Sequence, residues 1–256
     1  RLLEARDEPA AADPRPVADQ HPVADPLAVA DRRPTANPRL AAGARLMPDP
    51  TAGELDVFGF PVQIGKVQPP LLPAETLERE RLLEWMAAKI HSRLVLIVAD
   101  AGYGKTTLLA QFCAKLDDAF VYYTLDQSDN DLATFVHYML EGMQRSFPGF
   151  GDRTRQAVRQ TRYVNIVMGT LINEFVQNIP DDFYLILDDH HYLEQNLEIA
   201  RAIEYLVKHA PANFHLIIAS RATASLRLIH YLAKQELYQV ERNALRFNLK
   251  EIQALL

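Results

Sequence analysis

Residues 94–112 read Leu-Val-Leu-Ile-Val-Ala-Asp-Ala-Gly-Tyr-Gly-Lys-Thr-Thr-Leu-Leu-Ala-Gln-Phe. Leu94 to Val98 is a short apolar run with two valines and an isoleucine, which predicts a buried strand. Thr106 to Phe112 predicts the first turns of a helix. The turn between them ends in Gly104-Lys105-Thr106, and strand, turn, Gly-Lys-Thr and helix together make a phosphate-binding loop. A triphosphate needs several donors converging on one point. Gly102 and Gly104 let the backbone curl and bring its N–H groups close to phosphate oxygens. The new helix points the positive end of its dipole at the same place. Lys105 is expected to reach the β- and γ-phosphates, and the Thr106 hydroxyl to ligate Mg²⁺. The candidate cradle is therefore Ala101, Gly102, Tyr103, Gly104, Lys105, Thr106 and Thr107. One residue departs from the usual pattern: Ala99 stands where a Gly opens the loop, six residues before the Lys.

Further apolar runs follow at 119–125, 183–187 and 214–219, with a short fifth near 237–240. Between them lie helical patterns at 132–146, 165–179 and 197–209, and 77–91 reads as an amphipathic helix before the loop. Asp131 is a plausible N-cap for the helix that follows it. Alternating strands and helices predict a mostly parallel sheet covered on both faces, with its ligand at the carboxyl ends of the strands. Phe183 to Leu187 runs straight into Asp188-Asp189, the second element of a nucleotide site. Asp188 is expected to hold the Mg²⁺ that Thr106 also touches, and Asp189 to orient or deprotonate the attacking water. Arg221, at the end of the fourth apolar run, is a candidate γ-phosphate sensor. The candidate catalytic set is thus Lys105, Asp189 and Arg221. Asp188 to His191 can also be read as a metal cluster, but neighbours on an extended chain cannot all face one ion. The arginines at 153, 155, 159 and 162 read as a solvated helix face. No Asn-Lys-x-Asp sequence is present, so ATP is preferred to GTP.

Composition narrows the class. With 33 acidic and 27 basic residues the net charge is −6, which argues against a surface built for nucleic acid. The single cysteine, Cys113, cannot form an internal disulfide, and no apolar run approaches a membrane span. A cytoplasmic protein is expected. Residues 1–50 are rich in Ala, Pro, Asp and Arg, and Ala followed by Asp or Asn recurs at 12–13, 18–19, 24–25, 30–31 and 36–37. They read as a disordered low-complexity segment. Residue 1 is Arg, and Met47 is a candidate natural start. Residues 51–76, with Pro69, Pro70 and Pro73, read as an extended approach segment to a nucleotide domain over 77–256, cut off at its C-terminal end.

In these motifs together the chain resembles the NTPase module of the STAND class, specifically the MalT-like branch found in LuxR-type transcription regulators. The resemblance runs over about residues 64–256. It rests on Lys66-Val67-Gln68-Pro69-Pro70 followed by the Arg-rich start at 77–82, on the loop 101–112, on Leu125 to Asp131 with its Asp129-Asn130-Asp131, on Leu187 to His191, on Ser220-Arg221, and on Leu245 to Glu251. That branch also tends to lack the first loop Gly. It usually has Pro where this chain has Asp100. The resemblance implies a P-loop NTPase three-layer α/β/α sandwich with a five-stranded sheet. It further implies an ATP/ADP-binding, slowly hydrolysing Mg²⁺-dependent switch, self-association in the ATP state, and DNA contact only through domains absent from this chain. It also brings Arg79 toward the nucleotide. The alternatives are a P-loop ATPase coupled to mechanical or metabolic work, and a nucleotide-free interaction scaffold.

Overall fold

A computed structural model of the chain describes residues 62–221 and 237–255. The predicted low-complexity segment, and residues 51–61 of the approach segment, lie outside the described residues. Five strands form one sheet: β1 (Leu94–Val98), β2 (Ala119–Thr124), β3 (Phe183–Asp188), β4 (Phe214–Ser220) and β5 (Leu237–Glu241). Their order is β2-β3-β4-β1-β5 and every pairing is parallel. The helices are α1 (Glu80–Lys89), α2 (Lys105–Cys113), α3 (Leu132–Ser146), α4 (Asp152–Gln160), α5 (Val164–Asn178), α6 (Leu197–His209) and α7 (Leu249–Leu255).

The two-residue period of the strands sorts the apolar side chains into two layers. Leu94 and Leu96, Phe183, Leu185 and Leu187, and Phe214, Leu216 and Ile218 pack with α3, α5 and α6. Their neighbours Val95, Ile97, Tyr184, Ile186, Ile217 and Ala219 pack on the other face with α1 and α2. All six residues of β3 are buried. The result is the predicted three-layer sandwich. Close packing is tightest where α3 crosses β2. A Cβ added to Gly142 would lie 2.5 Å from Val121 Cγ1, so only glycine lets helix and strand approach this far.

Helix ends follow local chemistry. Asp131 caps α3 as predicted, accepting from the Thr134 N–H at 2.9 Å, and Asn196 caps α6 through Glu198 and Ile199. α4 has no cap of its own because Gly151 precedes it. The buried Glu174 carboxylate of α5 instead accepts from the Arg153 and Thr154 N–H groups at 3.0 and 2.8 Å. The arginine-rich face of α4 finds protein partners, Arg155 with Glu141 and Arg153 with Gln177. The helix before β1 begins at Glu80 rather than near Leu77, since the Leu77 carbonyl is taken by Gln111 Nε2 at 2.9 Å.

The approach segment is not extended throughout. Ile64–Val67 forms a 3-10 turn that buries Val67 and Lys66. The reason is electrostatic. Lys66 Nζ sits 2.7 Å from Asp129 Oδ1, 3.0 Å from Asp126 Oδ2 and 3.1 Å from Ser128 Oγ, and lies over the Tyr138 ring. Asp129 is fully buried and also closes a capping box with Asp126. Lys66→Ala therefore strands a buried carboxylate and is expected to destabilise the fold by about 3 kcal/mol. Asp126 is half exposed, so Asp126→Ala is expected to lose no more than about 1 kcal/mol. Urea unfolding of both variants measures the difference, and equal losses would reduce the Lys66 clasp to a surface pair.

Candidate functional site

The carboxyl ends of the strands share one rim, where Val98 pairs with Ser220 and Glu241, and Thr124 with Asp188. The loop from Ala99 to Gly104 leaves β1 there. Gly102 and Gly104 have φ of 83° and 76°, the left-handed region that other residues adopt at a penalty. Nothing lies within 4 Å of a Cβ built on Gly102, so backbone conformation alone demands glycine at that turn. α2 starts at Lys105, with Ala101, Gly102 and Thr106 exposed and Thr107 half-buried. Tyr103 packs its ring against the α1/α2 layer.

Lys105 is 6% exposed and folds back over the loop, donating to the Ala99 carbonyl at 2.7 Å and the Asp100 carbonyl at 3.1 Å. Burial lowers its pKa from the ordinary lysine value. Asp188 and Asp189 oppose that shift, while Arg221 adds to it. The four groups thus share one electrostatic neighbourhood. Thr106 Oγ1 donates to Asp188 Oδ2 at 2.7 Å, the Tyr122 hydroxyl donates to the same oxygen at 2.7 Å, and the Asp189 N–H donates to Oδ1 at 2.8 Å. These bonds satisfy a carboxylate that is completely buried. Tyr122 is held far above the ordinary phenol range by burial and then by Asp188, so it stays a donor. Asp189 is the one non-glycine residue with positive φ among the described residues, at 56°. Acidic residues tolerate this region better than most, and such strain concentrates at functional turns. Arg221 is exposed at the end of β4, and Ser220 beside it donates to Glu194 at 2.8 Å.

Arg79 arrives from the approach side. It is buried against Glu251 at 3.4 Å and donates to the Arg246 carbonyl at 3.0 Å, with the Phe247 ring beneath it. Its Nη1 is buried without a hydrogen-bond partner among the described residues and lies 3.9 Å from where a Gly104 Cβ would sit. An unpaired guanidinium nitrogen beside the loop fits an anionic ligand there. The oxygen set of Thr106 and Asp188 fits Mg²⁺. Every residue predicted for the site is therefore found at one rim. Tyr122, Glu251 and Arg242 are additions. Arg242 lies 3.3 Å from Asp100 and offsets its charge beside a cleft of about 350 Å³ that Arg221 also lines.

Residues 88–228 match the family described as an AAA domain. The chain belongs to that family. The chain is MalT-like: it is 32% identical over 190 residues to the HTH-type transcriptional regulator MalT of Yersinia pestis (strain Pestoides F), and equally to that of Yersinia pseudotuberculosis serotype O:1b (strain IP 31758). Each match covers 73% of this chain and 21% of the relative, so the chain spans about a fifth of the length of the curated relatives it matches. Among solved structures, a Signal Transduction ATPase with Numerous Domains (STAND) protein with a tetratricopeptide repeat sensor, from Pyrococcus horikoshii, superposes with a TM-score of 0.51 at 16% identity. That likeness covers 73% of this chain and 26% of the other, and it supports the P-loop NTPase fold. No helix among the described residues is long and apolar enough to cross a membrane.

The AAA domain places His190 and His191 in the 3-10 turn after β3. Among the described residues they form no metal-ligand group with Asp188: His191 Nδ1 is 3.5 Å from Asp189, and the ring nitrogens of both histidines are buried without a hydrogen-bond partner. Burial, and then His191, lower the His190 pKa to about 4. The unfolded ring titrates near 6.5. Protons therefore bind the unfolded chain first, and the domain loses stability as pH falls from about 6.5 toward 4, by roughly 1 kcal/mol per unit. Denaturant unfolding between pH 7 and about 5, where few carboxylates titrate, should show this slope, and His190→Leu should flatten it.

Proposed function

We propose that this AAA domain binds ATP and ADP with Mg²⁺, hydrolyses ATP slowly, and serves as the regulatory switch of a MalT-like transcription regulator. One observation carries the proposal: the buried Nη1 of Arg79, unpaired among the described residues, lies beside the left-handed glycine loop while the same guanidinium holds Glu251 and the Arg246 carbonyl. A ligand on that nitrogen links occupancy of the loop to the approach and closing segments together, which is what a switch needs.

The other roles follow from the same rim. The N–H groups of residues 101–107 cradle the phosphates, and Lys105 leaves the loop carbonyls to meet the terminal ones. Thr106 and Asp188 would hold the metal. Mg²⁺, when bound, neutralises charge on the phosphate oxygens. Asp189 orients the attacking water, and Arg221 offsets charge at the γ-phosphate. Self-association in the ATP state, DNA contact through regions outside this chain, and a cytoplasmic location complete the proposal. They draw on the relatives being HTH-type transcriptional regulators.

Calorimetry on the full chain tests the site. ATP and ADP should bind, and Lys105→Ala and Arg79→Ala should each weaken ADP by roughly 10–100-fold, the worth of one charge-assisted contact. Asp189→Asn should slow hydrolysis with affinity changed only a few-fold. Wild-type turnover should fall below the ~1–10³ s⁻¹ typical of enzymes. Rapid turnover would favour a work-coupled ATPase, and absence of binding would leave only a scaffold.

A further inference from the structure

The opposite end of the sheet carries a second cluster. His91 lies just after α1, Asp182 directly precedes β3, and His215 is the second residue of β4. All three stand at the amino ends of the strands, about 20 Å along β3 from Asp188. His91 Nδ1 is 3.5 Å from Asp182 Oδ2, and His215 Nε2 is 3.4 Å from Asp182 Oδ1. One ligand atom from each residue lies within 4.8 Å of the other two.

The distances suit a metal ion. Tetrahedral ligands on bonds of about 2.0–2.1 Å stand about 3.3 Å apart, close to the two histidine–carboxylate separations. The second shell is also in place. His215 is 3% exposed, and its Nδ1 is 3.1 Å from the Ser92 carbonyl. A carbonyl only accepts, so Nδ1 carries the hydrogen and Nε2 presents its lone pair to the carboxylate. Two acceptors facing each other across 3.4 Å need a cation between them or a second proton on the ring. Tyr184 stacks on His215 with ring centroids 4.9 Å apart and fixes its plane, while the Tyr184 hydroxyl lies 3.4 Å from His91 Nδ1. Asp182 is held by its neighbours: Asn213 Nδ2 donates to the Asp181 carbonyl at 2.8 Å and to the Ile179 carbonyl at 3.1 Å, and the Phe183 N–H donates to the Asn213 carbonyl at 2.9 Å. His91 is 69% exposed and Asp182 40%, which leaves an open side for water as a fourth ligand.

We propose that His91, Asp182 and His215 form a binding site for a divalent transition-metal ion of the zinc class, at the pole of the sheet opposite the phosphate loop. Two imidazoles and one carboxylate select zinc, cobalt or nickel over Mg²⁺ or Ca²⁺, which prefer all-oxygen sites. The bound ion ties the end of α1 to the starts of β3 and β4. The site is independent of the nucleotide proposal, since none of its residues belongs to the loop rim.

The test is titration of chelator-stripped full chain with Zn²⁺ by calorimetry at mildly alkaline pH, and with Co²⁺ by visible absorption. One saturable site per chain is expected, with cobalt d–d bands of a low-coordinate nitrogen–oxygen site. His91→Ala and Asp182→Asn should each weaken binding at least ~10-fold, and Lys105→Ala should leave it unchanged. Both test positions reach solvent, so circular dichroism and metal-free melting should match wild type. Absence of saturable Zn²⁺ binding would overturn the proposal. So would binding that His91→Ala and Asp182→Asn leave intact, because the ion would then belong to other donors such as Cys113.

Discussion

A completely buried carboxylate, Asp188, is the constraint around which the domain is arranged. A desolvated charge of this kind is tolerated only when its oxygens are satisfied. Here the donors come from three places: Thr106 on α2, Tyr122 on β2 and the next backbone N–H in the chain. Meeting that requirement fixes the start of α2 over the end of β3, although β4 lies between β3 and β1 in the sheet. It also brings β2, at the sheet's margin, into register with the loop through Tyr122. The left-handed turn at Asp189 follows directly, because the chain must reverse while its own N–H returns to the carboxylate before it.

A second charge arrangement joins the segments on either side of the sheet in sequence. Arg79 precedes α1 and Glu251 lies on α7, yet the two meet beside Gly104. Glu251 sits below its ordinary carboxylate value. Burial opposes that shift, and the Asn248 N–H together with Arg79 and Arg81 outweighs it. The phosphate loop is therefore bordered by polar groups whose own positions depend on residues far along the chain. Parallel sheets place their functional residues on loops at one rim, and this rim is closed from outside the sheet as well.

The strands are legible in the sequence because each is a short run rich in apolar, β-branched or aromatic residues. One of them, Phe183 to Leu187, stops at the very acid that the site uses. The loop is legible because glycine spacing and Gly-Lys-Thr carry their own chemistry, and Asp131 because a capping residue acts locally. Tyr122 is not, since a tyrosine in a strand reads as core and its hydroxyl matters only once β2 and β3 are paired. Lys66 and Glu251 are not for a different reason. Their partners lie 63 and 172 residues away, and no local pattern announces a contact of that span. The start of α1 moved to Glu80 because a tertiary bond to the Leu77 carbonyl outweighs helical periodicity.

The 3-10 turn at Ile64–Val67 has one more consequence. Among the described residues β2 ends the sheet, with β3 on one side and no further strand on the other. An unpaired strand margin is a template on which another chain can add itself and aggregate. The turn carries Val67 into the same apolar layer as Val121 and Tyr123 of β2, and Lys66 fastens it to the loop that follows that strand. The approach segment thus packs beside this margin of the sheet, and its lysine holds it there.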